Sequence, residues 1–153
     1  KSGQAEAPNG FVRFVDDIKS HVEFRDFAVP RKNGIGGAHN LDEFLSYSNE
    51  FRILNQTPHP SLPGVSKIEY NLAALDRARN PTGLFKAPVF SKTLFDPKVM
   101  SAEESLQLGR QAAAQAQSLG PLNREWTGLA PNGIMFRGYL DRTGAVRNFF
   151  PDF

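Results

Sequence analysis

Hydrophobic residues recur at helical spacing in two early stretches and one later one, and at strand spacing between and after them. Phe11, Phe14, Val15, Ile18 and Val22 recur three or four residues apart, which predicts a first helix with His21 near its C-terminal end. After a glycine turn, Leu41, Phe44, Leu45, Tyr47 and Phe51 predict a second helix. Asn40 supplies its N-cap, and Glu43, three residues on, supplies the partner of a capping box. Residues 55–64, with three prolines and a glycine, read as a loop in which His59, between two prolines, has a structural part. Ile68, Tyr70 and Leu72 then alternate with Lys67, Glu69 and Asn71, the period of two that marks a half-buried strand. Residues 72–79 fit either strand or helix, and 84–95 fit two short strands or one strand bulged at Pro88. The clearest helix is 101–119, with Ser101 and Glu104 forming a capping box and Gly120-Pro121 ending it. Beyond it, 126–130, 134–140 and 145–150 are separated by the turns Pro131-Asn132-Gly133 and Asp141-Arg142-Thr143-Gly144. That spacing predicts a three-stranded antiparallel meander.

The fold class expected from this pattern is α+β, with 1–10 a polar tail or linker and 11–153 one domain. A length of 153 residues suffices for one core, and 18 Lys and Arg against 16 Asp and Glu leave a formal charge of only +2. Distribution is more telling than the sum. Arg25, Arg31 and Lys32 surround the glycine turn, Lys86, Lys92 and Lys98 follow, and Arg137, Arg142 and Arg147 punctuate the last strands. A polyanion could meet all three groups, although scattered cations also make an ordinary solvated surface. The absence of cysteine excludes a disulfide framework and thiol chemistry. No apolar run approaches the ~20 residues that span a bilayer. A start at Lys1, without methionine or a charged-then-apolar leader, reads as a piece of something longer.

Candidate chemistry concentrates on His21 and on His39, which ends the turn Gly34-Ile35-Gly36-Gly37-Ala38. Two imidazoles can divide the proton transfers of one reaction, one as base and the other as acid. Glycines let the backbone turn tightly and let a ligand approach it. A zinc site built from His21, His39 and His59 is disfavoured. The spacings of 18 and 20 contain no short ligand pair, so no metal site is expected.

The segment Gly37-Ala-His39-Asn-Leu-Asp-Glu-Phe44 resembles part of the EndoU endoribonuclease family. That family shows a histidine, a Gly-x-His-Asn-x-x-x-Phe-like segment, a strand lysine and a C-terminal aromatic-proline motif. The same order occurs here as His21, His39, Lys86 within Gly83-Leu-Phe-Lys-Ala-Pro-Val-Phe-Ser-Lys-Thr93, and Phe149-Phe150-Pro151. The resemblance covers roughly residues 11 to 153 and rests on the joint order more than on any single motif.

The resemblance implies an EndoU-like fold in which a helical N-terminal half, about 11–80 and holding both histidines, packs with an antiparallel β-rich half, about 81–153, around an active-site cleft. It implies metal-independent or metal-stimulated RNA cleavage in which the ribose 2′-hydroxyl attacks the adjacent phosphate, leaving a 2′,3′-cyclic phosphate and a 5′-hydroxyl; no cofactor is expected. By analogy His39 is the base, His21 the acid and Lys86 the phosphate-stabilising cation. The division between the histidines is open, and Lys92 could take the place of Lys86. Ser91 and Thr93 lie where the family often has hydroxyls near the base or phosphate, or are ordinary strand residues.

Relatives that prefer uridine carry a hydroxyl residue two positions before a tyrosine in the last strand. Here those positions are Asn148 and Phe150, which share a strand face, so the base pocket is altered and uridine preference is not expected. Phe150 fits a core aromatic equally well. The family reading makes the chain a bacterial toxin domain of the contact-dependent growth inhibition type. Such a domain is delivered from a secreted or cell-surface parent and acts on RNA, with tRNA the favoured substrate, in the target cytoplasm. A cognate immunity protein would block its cleft. The competing reading is a non-catalytic RNA-binding module that uses Lys and Arg on phosphates and Phe149 or Phe150 on a base.

Overall fold

A computed structural model describes residues 12–27, 30 and 34–153. The linker expected at 1–10, Phe11 of the first helix, and Arg31 and Lys32 lie outside the described residues. The elements run α1 (Ile18–Glu23), α2 (Leu41–Leu45), a 3₁₀ turn (Ser48–Glu50), β1 (Phe51–Pro58), β2 (Val65–Leu75), β3 (Pro81–Phe85), β4 (Phe90–Phe95), α3 (Ala102–Ser118), β5 (Glu125–Leu129), β6 (Met135–Leu140) and β7 (Val146–Pro151). The class is α+β, as its patterning predicts. The chain divides into two compact units, residues up to Val22 with Ser101–Phe153, and Glu23–Met100. His21 belongs to the first of these units and His39 to the second.

The unit Glu23–Met100 is built on β2. Its first part pairs antiparallel with β1 on one side and β4 on the other, and its last part, around Ala73 and Leu75, pairs with β3. Against it lies a cluster of Ile35, Ala38, Phe44, Phe51, Ile68, Tyr70, Leu72 and Leu94. The Phe44 and Phe51 rings are 4.3 Å apart and Tyr70 stands edge-on to both. Each such aromatic contributes about 1.5–3 kcal/mol by burial. Arg25 is held under the cluster's rim by both oxygens of Glu50, at 2.8 Å each, with its guanidinium 4.6 Å from the Tyr47 ring.

Three expectations fail in this unit, so the N-terminal half is not predominantly helical among the described residues. The second helix stops at Leu45, and Phe51 instead opens β1 opposite Leu72. The tertiary ladder outweighs the helical spacing because Phe51 reaches the same core from either geometry. Glu43 does not complete the expected capping box as read: its carboxylate accepts the Tyr47 hydroxyl at 2.6 Å, while the Asn40 side chain caps the N–H groups of Asp42 and Glu43. The loop expected at 55–64 is strand as far as Pro58. The rest of it turns around His59, whose Nδ1 accepts the N–H groups of Ser61 and Leu62 at 3.0 Å. His59 thus has the structural part expected of it. The open readings resolve as β2 continuing to Leu75 and as two strands, β3 and β4.

In the other unit, α3 follows its expected bounds closely, with both halves of the Ser101–Glu104 capping box present. It buries Ser105, Leu106, Gly109, Ala112 and Ala113 at helical spacing, and it packs mainly on β5. The meander β5–β6–β7 pairs consecutively as predicted, with Trp126, Phe136 and Phe149 buried. At Gly128 the sheet approaches the helix so closely that a β-carbon would stand 2.1 Å from the Ala112 carbonyl oxygen. The first helix is only six residues long. Phe14 and Val15 precede it in extended backbone, because Val15 donates to Val146 at 3.0 Å and Arg13 accepts from Val146 at 2.8 Å.

Candidate active site

The backbone around His39 is clamped from two sides. Ala38 donates to Phe24 and Asp26 donates to Gly36, laying 24–26 beside the glycine turn, and Phe95 of β4 donates to the His39 carbonyl at 2.8 Å. Between the clamps Gly37 and Ala38 take φ of 66° and 51°. Glycine does so freely, but a residue with a β-carbon pays about 1 kcal/mol or more for a left-handed conformation. Ala38 is fully buried, so the surroundings hold it there.

His39 itself is only 7% exposed, and its Nδ1 lies 2.7 Å from the Thr93 carbonyl oxygen. A carbonyl can only accept, so Nδ1 carries the hydrogen and the neutral ring keeps its lone pair on Nε2. An imidazole anchored in this way is oriented for proton transfer through Nε2. Thr93 therefore supports the histidine through its backbone. No sequence pattern signals this, since any residue in that register offers a carbonyl. Ser91 is exposed on the same strand, two residues back, opposite Glu69.

The two candidate lysines differ in setting. Lys86 is exposed just past β3, with its N–H donated to Leu72 at 2.8 Å. Lys92 is buried on β4, opposite Ile68 and adjacent to Thr93. Burial lowers its ammonium to about 8 from the ordinary 10.5, and Asp26 opposes part of that fall. Below pH 8 the amine is charged in both folded and unfolded chains, and folding bears the full cost of desolvating it. Between 8 and 10.5 the unfolded chain holds the proton that the folded one has lost, so stability rises with pH. The expected result is that wild type gains stability relative to Lys92→Met across this interval, by about 3 kcal/mol when complete. Urea unfolding at pH 7, 8.5 and 10 measures it; parallel curves for the two proteins would refute the burial of a charged amine.

Within the other unit, His21 is half-buried in the last turn of α1, with its N–H donated to Asp17 at 3.0 Å. Asn148 and Phe150 share a face of β7 opposite Tyr139 and Arg137 of β6. Phe150 is half-buried, not a core residue, with its ring 6.2 Å from Tyr139; Phe149, on the opposite face, fills the core. The Asn148 Oδ1 is buried with no hydrogen-bond partner among the described residues, an unmet acceptor that costs about 1–3 kcal/mol. Arg137, one of the cations grouped with a polyanion in view, is instead held by Asp152 at 3.0 Å and by Glu125. Tyr139 is the neighbour that sequence reading missed. Pairing across the Asp141–Gly144 turn could have suggested it, since strand register puts it opposite Asn148.

No group of three His, Cys, Asp or Glu that could hold a metal occurs among the described residues, and no described helix is long and apolar enough to cross a membrane.

The chain is 35% identical over 149 residues to a tRNA nuclease CdiA of Yersinia mollaretii, an overlap of 95% of this chain and 5% of that protein. It is 39% identical over 132 residues to a tRNA nuclease CdiA of Escherichia coli strain STEC_O31, an overlap of 79% of this chain and 4% of that protein. It thus spans about one twentieth of the length of these curated relatives. The model of the bacterial EndoU nuclease family matches residues 27–153, a stretch that holds His39, both candidate lysines and the Asn148–Phe150 strand but begins after His21. From the match over most of its length, the chain belongs to the bacterial EndoU nuclease family.

Proposed function

We propose that this chain is an endoribonuclease that cleaves tRNA, the toxin domain of a larger cell-surface-delivered protein that acts in the cytoplasm of a target cell. The observation that carries the reading is the His39 anchor: an Nδ1–H held by a strand carbonyl leaves Nε2 as the proton acceptor. In the proposed reaction Nε2 removes the proton of a ribose 2′-hydroxyl as that oxygen attacks the adjacent phosphorus. The bond from phosphorus to the 5′-oxygen breaks, and His21 protonates the departing oxygen. The products are a 2′,3′-cyclic phosphate and a 5′-hydroxyl, and no water is consumed. Lys86 offsets the charge that builds on the phosphoryl oxygens. Asn148, with its unmet acceptor, and Phe150 read the base, while Ser91 and Thr93 line the substrate strand. A uridine preference is not part of the reading, because the hydroxyl residues associated with it are replaced. A cognate immunity protein with acidic groups would cover the basic active-site surface.

A second reading of the cation rests on Lys92, whose buried amine is one residue from the His39 anchor. Methionine substitution at each lysine separates the two, because whichever variant loses single-turnover cleavage while staying folded identifies the cation. The decisive experiment incubates the protein with a tRNA pool in EDTA and maps the fragment ends. Cyclic phosphate termini at defined positions are expected. Intact tRNA that nevertheless binds the protein would leave only the non-catalytic RNA-binding module.

A further inference from the structure

The unit Glu23–Met100 carries a surface that the His39 anchor does not use. Residues 76–85, the tip and second strand of the hairpin formed by β2 and β3, are all exposed, Leu84 by 70%. The hairpin tip is closed tightly. Arg79 donates to the Asp76 carbonyl at 2.9 Å, Asp76 donates to the Asn80 carbonyl at 3.0 Å, and Asn80 donates to the Asp76 carboxylate at 2.8 Å. Asp76 is the only carboxylate in 76–89, and it is turned inward on the backbone, whereas Arg77 and Arg79 are exposed. A turn of this kind presents two guanidinium groups without a flexible loop to order.

At the base of the hairpin a third arginine is held on the sheet. Arg52 of β1 donates from Nε to the Asn71 side chain at 3.1 Å, and its guanidinium carbon lies 4.2 Å from the centre of the Phe85 ring of β3. Arg52 pairs with Asn71 and Phe85 with Ala73, so all four residues share one face of the sheet. Among the described residues Arg52 makes no ion pair, which leaves its terminal nitrogens to ligands. A planar guanidinium fixed over an aromatic ring suits two contacts at once, a forked bond to phosphate and a flat platform for a base.

We propose that this face is a secondary RNA-binding surface, in which Arg52, Arg77 and Arg79 hold backbone phosphates and the Arg52–Phe85 stack carries an unpaired base. The inference rests on the reading of the substrate as RNA. RNA fits better than a protein partner, because the exposed charge is almost wholly positive and is preorganised at hydrogen-bonding forks. Arg52, Arg77 and Arg79 act on RNA that extends beyond the cut site, whereas Lys86, just past β3, is left to the reacting phosphate, so the three arginines act on KM for long substrates and not on kcat.

The test uses the full chain as wild type, Arg52→Gln, and the double variant Arg77→Ser with Arg79→Asn. Asparagine tolerates the left-handed φ of 68° at position 79. Substrates are the tRNA pool and a pentaribonucleotide spanning the mapped cut. KM for tRNA is expected to rise about tenfold with kcat unchanged, while pentamer cleavage stays at wild-type level. For the double variant, the slope of log affinity against log salt should shrink by about 1.5, from ~0.7–0.9 per phosphate contact. Unchanged KM and salt slope would overturn the proposal, as would equal losses on tRNA and pentamer, or variants that cut tRNA normally yet lose a protein partner. Wild type cutting neither RNA would instead overturn the underlying reading, and that result differs from wild type and variants cutting both alike.

Discussion

Replacing His39 by alanine is expected to reduce tRNA cleavage by about 10³-fold or more, within the range that a positioned general base contributes and with its structural part added. The loss has two sources. Nε2 disappears as proton acceptor, and the Nδ1 bond to the Thr93 carbonyl at 2.7 Å disappears with it. Because His39 is only 7% exposed, alanine also leaves a cavity beside the glycine turn. His39→Asn separates the contributions, since its Nδ2 amide occupies the place of Nδ1 and can still donate to the Thr93 carbonyl but cannot act as a base near neutral pH. Single-turnover cleavage should be lost in both variants, while the urea midpoint should fall in the alanine variant and recover in the asparagine one. An asparagine variant that still cuts tRNA would remove His39 from the chemistry.

Gly128→Val is the substitution expected to cost most in stability, about 4 kcal/mol or more, at the exceptional end of single changes. Any β-carbon there would stand 2.1 Å from the Ala112 carbonyl oxygen and 3.1 Å from the Ala116 methyl. The first obstacle is helix backbone, which cannot rotate aside as a long side chain can, so α3 must lift from β5. That separation would also break the bond from the Leu129 N–H to the Gln115 side chain at 2.9 Å. Denaturant unfolding followed by Trp126 fluorescence reads the loss, because the indole is buried in this unit. A midpoint within a few tenths of wild type would mean that the contact between helix and sheet is looser than described.

Elements were legible wherever local signals agreed with tertiary demands. The capping box at Ser101 and Glu104 ends one side of α3, and the turns at 131–133 and 141–144 space the meander, so these elements needed no long-range information. The stretch from Tyr47 to Pro58 gives no clear strand signal because β1 is a solvent-facing edge. Only Phe51 of its eight residues is buried, so its hydrophobic pattern carries no alternation, and its strand character comes from pairing with β2. The first helix fell short for a related reason, since Val15 is engaged by Val146, far away in sequence.

In the candidate site, His39 stood out because glycines precede it. The carbonyl that fixes its tautomer left no trace, since a backbone acceptor has no residue signature. Lys86 and Lys92 looked alike in the sequence and differ only through β4 register, which turns Lys92 towards buried Ile68.

The strap joining Arg13–Val15 to Val146 also governs the order in which the chain can be completed. Glu23–Met100 is contiguous and can close as soon as its own residues are present, but the remaining unit needs both ends of the chain. Its closing contact spans more than a hundred residues, so its loop-entropy cost is met only after the intervening segment has condensed. The last strand, β7, is therefore the latch of that unit, since its pairing at Val146 is what ties Arg13–Val15 to the far stretch of the chain.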